Sequence, residues 1–383
     1  MNKTFISLAL GLSLSLSLFM TGCKAQEAPE EKAPAPPAQE NLTETVQPQD
    51  TGLKFTQDKN VDEDSFLENP DYADFLSRAK AGFVVPGLKQ HFIPQGISAD
   101  LKNGIVYISN YAAAPSIPSV ISAVGLSDGK LKAEYRILNP DGSPFTSHMG
   151  GIAVTDSKIY VSDSKDEYGN ARIAEISLDK LPAEGGHDVT IERQIVVPLQ
   201  PSFINYSQGM LWIGNFYHPD GDYKLPPEIG KTVETADGEY GCYILGYELD
   251  EAGALPQIKD GAKFPEAKLV IAAPDKIQGI TLSEDSIYLS KSYGRKAYSA
   301  IYKYSLKLDE KCDSTLEICG QQLPAYILDS KRNFEQTVLM PMSEGICLGQ
   351  DGSIIILFES GAEKYKDGRD RTDTVWEYKI SEN

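Results

Sequence analysis

The chain is predicted to be all-β: a five-bladed β-propeller of four-stranded blades, the last blade closed by an N-terminal strand. Three observations carry this. A short apolar run ending in proline recurs at Val84-Val85-Pro86, Ile137-Leu138-Asn139-Pro140, Val196-Val197-Pro198, Ile271-Ala272-Ala273-Pro274 and Val338-Leu339-Met340-Pro341. After each run come, in the same order, a small-residue-plus-Ile strand start, a turn, an apolar strand ending in a polar residue, and a third alternating strand, which is the period of a radially repeated blade. Finally, the run Gly82 to Pro86 has no strands before it, while the last copy ends at Ile380 after only three. The first run therefore supplies the missing outer strand and covers an open edge.

The elements align in order. Inner strands start at Gln95-Gly96-Ile97, Gly150-Gly151-Ile152, Ser202-Phe203-Ile204, Gln278-Gly279-Ile280 and Glu344-Gly345-Ile346. Second strands end at Asn110, Asp163, Asn215, Lys291 and Glu359, and third strands span 119–126, 171–178, 242–249, 299–306 and 373–380. Turn signals at Asn103-Gly104, Asp156-Ser157, Gln208-Gly209, Glu284-Asp285 and Asp351-Gly352 join the first two strands of each copy. One blade cannot bury both faces of its sheet, so stacking around an axis supplies the core.

Upstream, Lys3 precedes an apolar stretch from Phe5 to Met20, and Met20-Thr21-Gly22-Cys23 follows. This resembles the lipobox of bacterial lipoproteins, with Met in place of the usual Leu. The resemblance implies a lipoprotein signal peptide over 1–22, lipidation of Cys23, and the membrane as a partner through that anchor. The place is then the cell envelope. Lys24, rather than Asp, after the cysteine favours an outer membrane, facing the periplasm or the cell surface, in a host with two membranes. Residues 23–55 are rich in Pro, Glu, Gln and Ala and read as a flexible linker. Residues 56–81 read as an N-terminal extension with a short helix from Pro70 to Lys80, capped by Asn69 and followed by Gly82. The propeller takes 82–383.

With 55 acidic and 36 basic residues the net charge is −19, which argues against nucleic acid and against a peripheral grip on anionic lipid. Cys312 and Cys319 bracket a short polar loop, and an oxidising compartment favours their disulfide. Cys242 and Cys347 fall on different blades, and no CxxC spacing points to zinc.

Inner strands start, and second strands end, on one face of the disc. Counting from the turns places Gly150 opposite Asp163, Ser202 opposite Asn215, Gln278 opposite Lys291 and Glu344 opposite Glu359, with Gln95 and Asn110 at the corresponding places in the first copy. Tyr111, Tyr217, His218, Tyr293 and Arg295 lie just beyond the strand ends, and His148 just before an inner strand. A polar ring with an aromatic rim suits a small molecule, a glycan or an envelope protein. The insertion from Tyr217 to about Tyr240 is expected to lid this face or to form a partner surface. Two opposed carboxylates repel, so Glu344 and Glu359 should share a proton or be neutralised by Lys291, Ca²⁺ or another divalent cation.

Ser343-Glu344-Gly345-Ile346 is similar to the Glu-Gly strand start that supplies a metal ligand in the gluconolactonase/senescence-marker propeller family, a start shared with NHL-type propellers. The strand-end Asn and Asp are similar to that family's other ligands, although the family has six blades and this chain five copies. The resemblance implies Glu344, with Glu359, Asp163 or Asn215, as metal ligands of a lactonase-type, metal-dependent hydrolase. That reading stands as the alternative to a binding or scaffold module. Other enzymatic patterns are missing: Glu344 is the only acidic inner-strand start where glycosidases need two carboxylates, and there is no GxSxG and no histidine pair at metal spacing.

Overall fold

The computed structural model describes residues 54–380 apart from 63, 115, 167, 227 and 228. The signal segment, Cys23 and all of the linker before residue 54 lie outside the described residues. Among those described, no helix is long and apolar enough to cross a membrane.

Five antiparallel blades surround one axis. Their inner strands are Phe92–Asp100, Ile152–Val154, Phe203–Ser207, Ile277–Leu282 and Ser343–Leu348. The proline-terminated runs are the outer strands: Leu131–Leu138, Arg193–Val196, Leu269–Ala273, Glu335–Leu339 and, for the fifth blade, the N-terminal Ala79–Val84. That last strand pairs with Thr374–Tyr378, placing Ala79 opposite Tyr378 and Val84 opposite Thr374, so both chain ends share one sheet. The strand begins three residues earlier than the sequence suggests. The helix is correspondingly shorter: a 3-10 turn Pro70–Tyr72, with the Asn69 side chain accepting from the Asp71 N–H, then an α-helix Ala73–Arg78. Ala79, Lys80 and Ala81 are good helix formers, but ladder pairing with Tyr378, Glu377 and Trp376 outweighs a propensity of a few tenths of a kcal/mol per residue.

The apolar core is divided among the blade interfaces. One buried cluster lies between each adjacent pair, such as Ile121, Tyr135, Ile159 and Ile176 between blades 1 and 2, or Trp212, Ile244, Ile280 and Leu289 between blades 3 and 4. Phe66, Tyr72 and Phe75 of the N-terminal extension join Trp376 and Tyr378 between blades 4 and 5. Phe55, assigned above to the linker, packs on Phe92 at 4.7 Å between ring centroids, so the packed extension begins at least there.

Two outer edges carry additions that the repeat did not announce. Gly185–Thr190, from the connection before the outer strand of blade 2, adds in parallel to Leu131–Leu138 of blade 1. The hairpin Ser314–Ile318/Gln321–Ile327, from the same connection in blade 4, adds in parallel to Leu269–Ala273 of blade 3. Each covers an otherwise open ladder of backbone groups.

That hairpin corrects the expected disulfide: Cys312 and Cys319 are not bonded to each other. The segment between them is a strand, not a loop, and five extended residues span roughly 15–20 Å against the ~7 Å Cα separation a disulfide tolerates. Cys312 packs against the core between blades 3 and 4, and Cys319, at φ 48° in the hairpin turn, against the core between blades 2 and 3. Reductant should therefore leave Tm unchanged, and a non-reducing peptide map should show no 312–319 bridge; finding that bridge would overturn the hairpin register.

The expected lid is also corrected. Tyr217, Ile229 and Tyr240 are buried, Gly230 abuts the Glu317 carbonyl, and Asp237 accepts from the Ser330 N–H and hydroxyl at 2.6 and 2.7 Å. From Ile229 onward the insertion runs along the outside of blades 3 and 4 because its apolar side chains find cover there.

Candidate functional site

Glycine sets the geometry at the axis. A Cβ on Gly96 would lie 2.7 Å from the Ile152 N, one on Gly345 would lie 2.8 Å from the Ile97 N, and one on Gly279 would lie 3.0 Å from the Gly345 Cα. With only five blades the inner strands meet backbone to backbone, which explains the recurring Gly-Ile start. Deeper in, the Asn205 amide of blade 3 donates across the axis to the Ile346 carbonyl of blade 5 at 3.4 Å. Side chain and backbone therefore bridge the axis below the mouth.

Three residues at the axial ends of the inner strands are each placed by a β-bulge. Pro94 pairs with Asn110 and Gly96 with Ser109, Ile277 with Lys291 and Gly279 with Ser290, and Ser343 with Phe358 and Ile346 with Ile356. Gln95, Gln278 and Glu344 fall in the extra-residue positions, where a bulge re-aims the side chain. The predicted register is corrected accordingly: Gln278 does not oppose Lys291, and Glu344 does not oppose Glu359 in the ladder. The Glu344 and Glu359 carboxyls nevertheless meet and hydrogen-bond each other. Gln95 Nε2 donates to Glu359 at 2.8 Å, and Gln278 Nε2 lies 3.5 Å from Glu344.

Burial, and then the charge of Glu359, hold the Glu344 carboxyl well above its ordinary range; Glu359 is raised too, chiefly by burial, while donors from Tyr365, Gln95 and Glu344 pull the other way. Each carboxyl is thus harder to ionise than a carboxyl in water, and Glu344 the more so. Tyr365 is hydrogen-bonded to Glu359 and to Tyr111, whose hydroxyl accepts from Lys364 Nζ at 2.7 Å. His148 stands 4.1 Å from the Tyr111 ring at the solvent edge; crowding by protein and the Lys364 charge lower its pKa.

Other predicted residues do different work. Asn110 is fully buried within blade 1, its amide donating to the Ile108 and Val120 carbonyls and to Ser122. Asp163 pairs with Arg172 at 2.9 Å and accepts from Gln194 and the Ser164 N–H. Asn215 bridges the Gly241 carbonyl and the Tyr243 N–H. Lys291 pairs with Asp275 at 2.6 Å and lies over Tyr302, so it does not neutralise the glutamates. Tyr217 is in the core, and buried His218 sits edge-on to Tyr293 at 4.4 Å with its Nδ1 unpartnered. Ser202, half-buried, sits at the rim with its N–H on the Gly214 carbonyl. Arg295 pairs with Asp367 at 2.5 Å and lies over the Tyr365 ring at 5.0 Å.

The metal set is corrected as well: Glu344, Glu359 and Asp163 do not come together, and among the described residues no group of three His, Cys, Asp or Glu side chains could hold an ion. Lys364 and Tyr365, on the 3-10 turn Glu363–Tyr365, were missed by the sequence reading. The signal was present, since this connection is the one that supplies Tyr217 and Tyr293 in blades 3 and 4.

Glu344→Gln should leave Tm unchanged or slightly higher near neutral pH, because the amide offers Glu359 a donor and removes a buried ionisable group. The pH dependence has a defined sign. A carboxyl raised above 4.5 holds more protons folded than unfolded, so stability falls as pH rises above that value, by at most ~1.4 kcal/mol per unit, and Glu344→Gln should flatten the slope. Ca²⁺ should not raise Tm; a rise present in wild type and absent from Glu344→Gln would restore the metal reading.

Neither a known protein family nor any curated protein sequence matches the chain. Solved structures are similar to it at low identity. An oxidoreductase (glucose dehydrogenase) of Thermus thermophilus is 14% identical over 78% of this chain and 99% of that one, with TM-score 0.40. The GH43_1 enzyme of Xanthomonas citri in complex with xylotriose is 15% identical over 75% and 87%, with TM-score 0.39. Hydrazine synthase of Kuenenia stuttgartiensis is 11% identical over 69% of this chain, which spans 55% of that one, with TM-score 0.33.

Proposed function

We propose that the protein is a lipid-anchored cell-envelope binding module whose propeller mouth holds a small ligand, a glycan or a protein. The observation that carries the reading is the mouth itself: the Gln95 and Gln278 amides turned to the adjoining Glu344 and Glu359 carboxyls inside an aromatic rim. The rim is where the molecule leaves apolar side chains in water. Of the eight large hydrophobics exposed among the described residues, Ile117, Tyr168, Tyr223, Tyr293 and Tyr298 all sit on second-to-third-strand connections, which open on this face. Such a concentration marks a contact surface rather than scattered exposure. A lactonase-type hydrolase would need a metal-donor set that the two glutamates do not complete.

Two measurements test the reading. In a ligand panel of saccharides and envelope components read by calorimetry, Tyr293→Ala combined with Gln278→Ala should weaken any wild-type ligand by at least about tenfold, since one stacking ring and one amide are each worth ~1 kcal/mol or more. Undiminished binding would place the site elsewhere. For the anchor, Cys23→Ser should release the protein from membranes or leave it unprocessed; unchanged fractionation and mature mass would reject lipidation.

A further inference from the structure

We infer that the mouth takes a ligand presenting an organic ammonium group, seated on the Glu344 and Glu359 carboxyls against the faces of Tyr111 and Tyr365, where the chain's own Lys364 now stands in. The inference rests on the mouth being the binding face and names what that face accepts.

Four observations converge. Among the described residues neither Glu344 nor Glu359 makes an ion pair with Lys or Arg, although Glu344 is only 3% exposed and Glu359 half-buried. Lys364 acts on Glu359 only from a distance, and carboxyls withdrawn from water with no cation in contact are matched by a group with several donors and no acceptor, which describes an ammonium. The tyrosine faces beside them already receive cations: Lys364 Nζ lies 5.2 Å from the Tyr111 centroid and 5.3 Å from that of Tyr365, and the Arg295 guanidinium lies 5.0 Å from Tyr365. These distances fall within cation–π range. The Gln95 and Gln278 amides turn their N–H groups to the carboxyls, so each keeps a carbonyl oxygen as a further acceptor. Lastly, a net charge of −19 attracts cationic ligands and disfavours anionic ones.

The chain's own cations do not close the site. Arg295 is neutralised by Asp367. Lys364 is exposed on a short 3-10 turn and tied to the mouth by a hydrogen bond to Tyr111. An incoming ammonium takes over the tyrosine faces and Lys364 swings into solvent. This sets the ligand classes apart: an anion would need Lys364, a neutral sugar would be indifferent to its charge, and a cation competes with it.

The test uses the full chain at about 0.15 M salt, where long-range attraction is largely screened. Matched probes are titrated by calorimetry: ethanolamine against ethylene glycol, putrescine against butane-1,4-diol, and glucosamine against glucose. The expected result is that at least one amine binds about tenfold or more tighter than its hydroxyl counterpart, that Lys364→Met strengthens it several-fold, and that Glu359→Gln weakens it about tenfold. Equal binding of amine and hydroxyl partners, or weaker binding by Lys364→Met, overturns the ammonium inference while leaving the mouth as a binding face. Amine binding unchanged by Glu359→Gln shows attraction to the acidic surface only and also overturns it. No binding of any amine to wild type or to Lys364→Met overturns it too, and the Tyr293→Ala and Gln278→Ala experiment then judges the binding face separately.

Discussion

A chain that starts at Val85 should fail to fold into a stable monomer, whereas one that starts at Gly52 should unfold in a single cooperative transition. The shorter chain lacks the strand Ala79–Val84, which supplies every ladder partner on the outer side of Thr374–Tyr378. It also lacks Phe66, Tyr72 and Phe75, each fully buried between blades 4 and 5. Burying one such side chain is worth roughly 1.5–3 kcal/mol, so three contribute roughly 4.5–9 kcal/mol, a large share of the 5–15 kcal/mol of a typical domain's stability. The bared edge of the fifth blade would then pair with other molecules. Size-exclusion chromatography and thermal melts of the two chains decide the matter, and equal Tm values would refute closure by the N-terminal strand.

Gly151→Ala should cost ~3 kcal/mol or more, a large penalty for one added methyl group. Gly151 lies on the axis of blade 2, where a Cβ would overlap the Ile204 amide nitrogen and sit 2.7 Å from the Phe203 carbonyl carbon. Both obstacles are backbone of the next blade, so relief requires moving a strand rather than turning a side chain, and overpacking of this kind is at the costly end of its range. Gly142→Ala provides the control. Its φ is +82° with nothing within 4 Å, so only backbone strain of ~1 kcal/mol is expected. If urea melts give the two variants the same loss, the glycines are not what lets five blades meet.

The four strands of each blade and their order could be read from the chain because a blade is a local object, whereas the strands added to the outer edges of blades 1 and 3 could not, because they pair across blade boundaries. Apolar alternation, a turn every few residues and a proline at each outer-strand end recur within about sixty residues, and nothing distant is needed to interpret them. Ring closure was legible for the same reason: an orphan strand at one end and a missing one at the other is a counting argument. The axial residues Gln95, Gln278 and Glu344 were found because they precede the repeated glycine.

What each strand-end polar group does was not legible, because it depends on partners far away in sequence or on one extra residue in a ladder. Asp163 and Asn215 look alike in the repeat, yet one meets Arg172 across its sheet and the other bridges backbone at Gly241 and Tyr243. Lys291 turned to Asp275 rather than to the glutamates, and three bulges shifted the register that simple counting assumed. Cys312 and Cys319 were kept apart by a strand that forms only because blade 3 offers an edge to pair with. The sequence by itself determined the fold, the blade count and the closing strand, since periodicity and turn chemistry are local. Only the tertiary structure decided which polar residues satisfy backbone and which face the axis, because that choice is made by the approach of neighbouring blades.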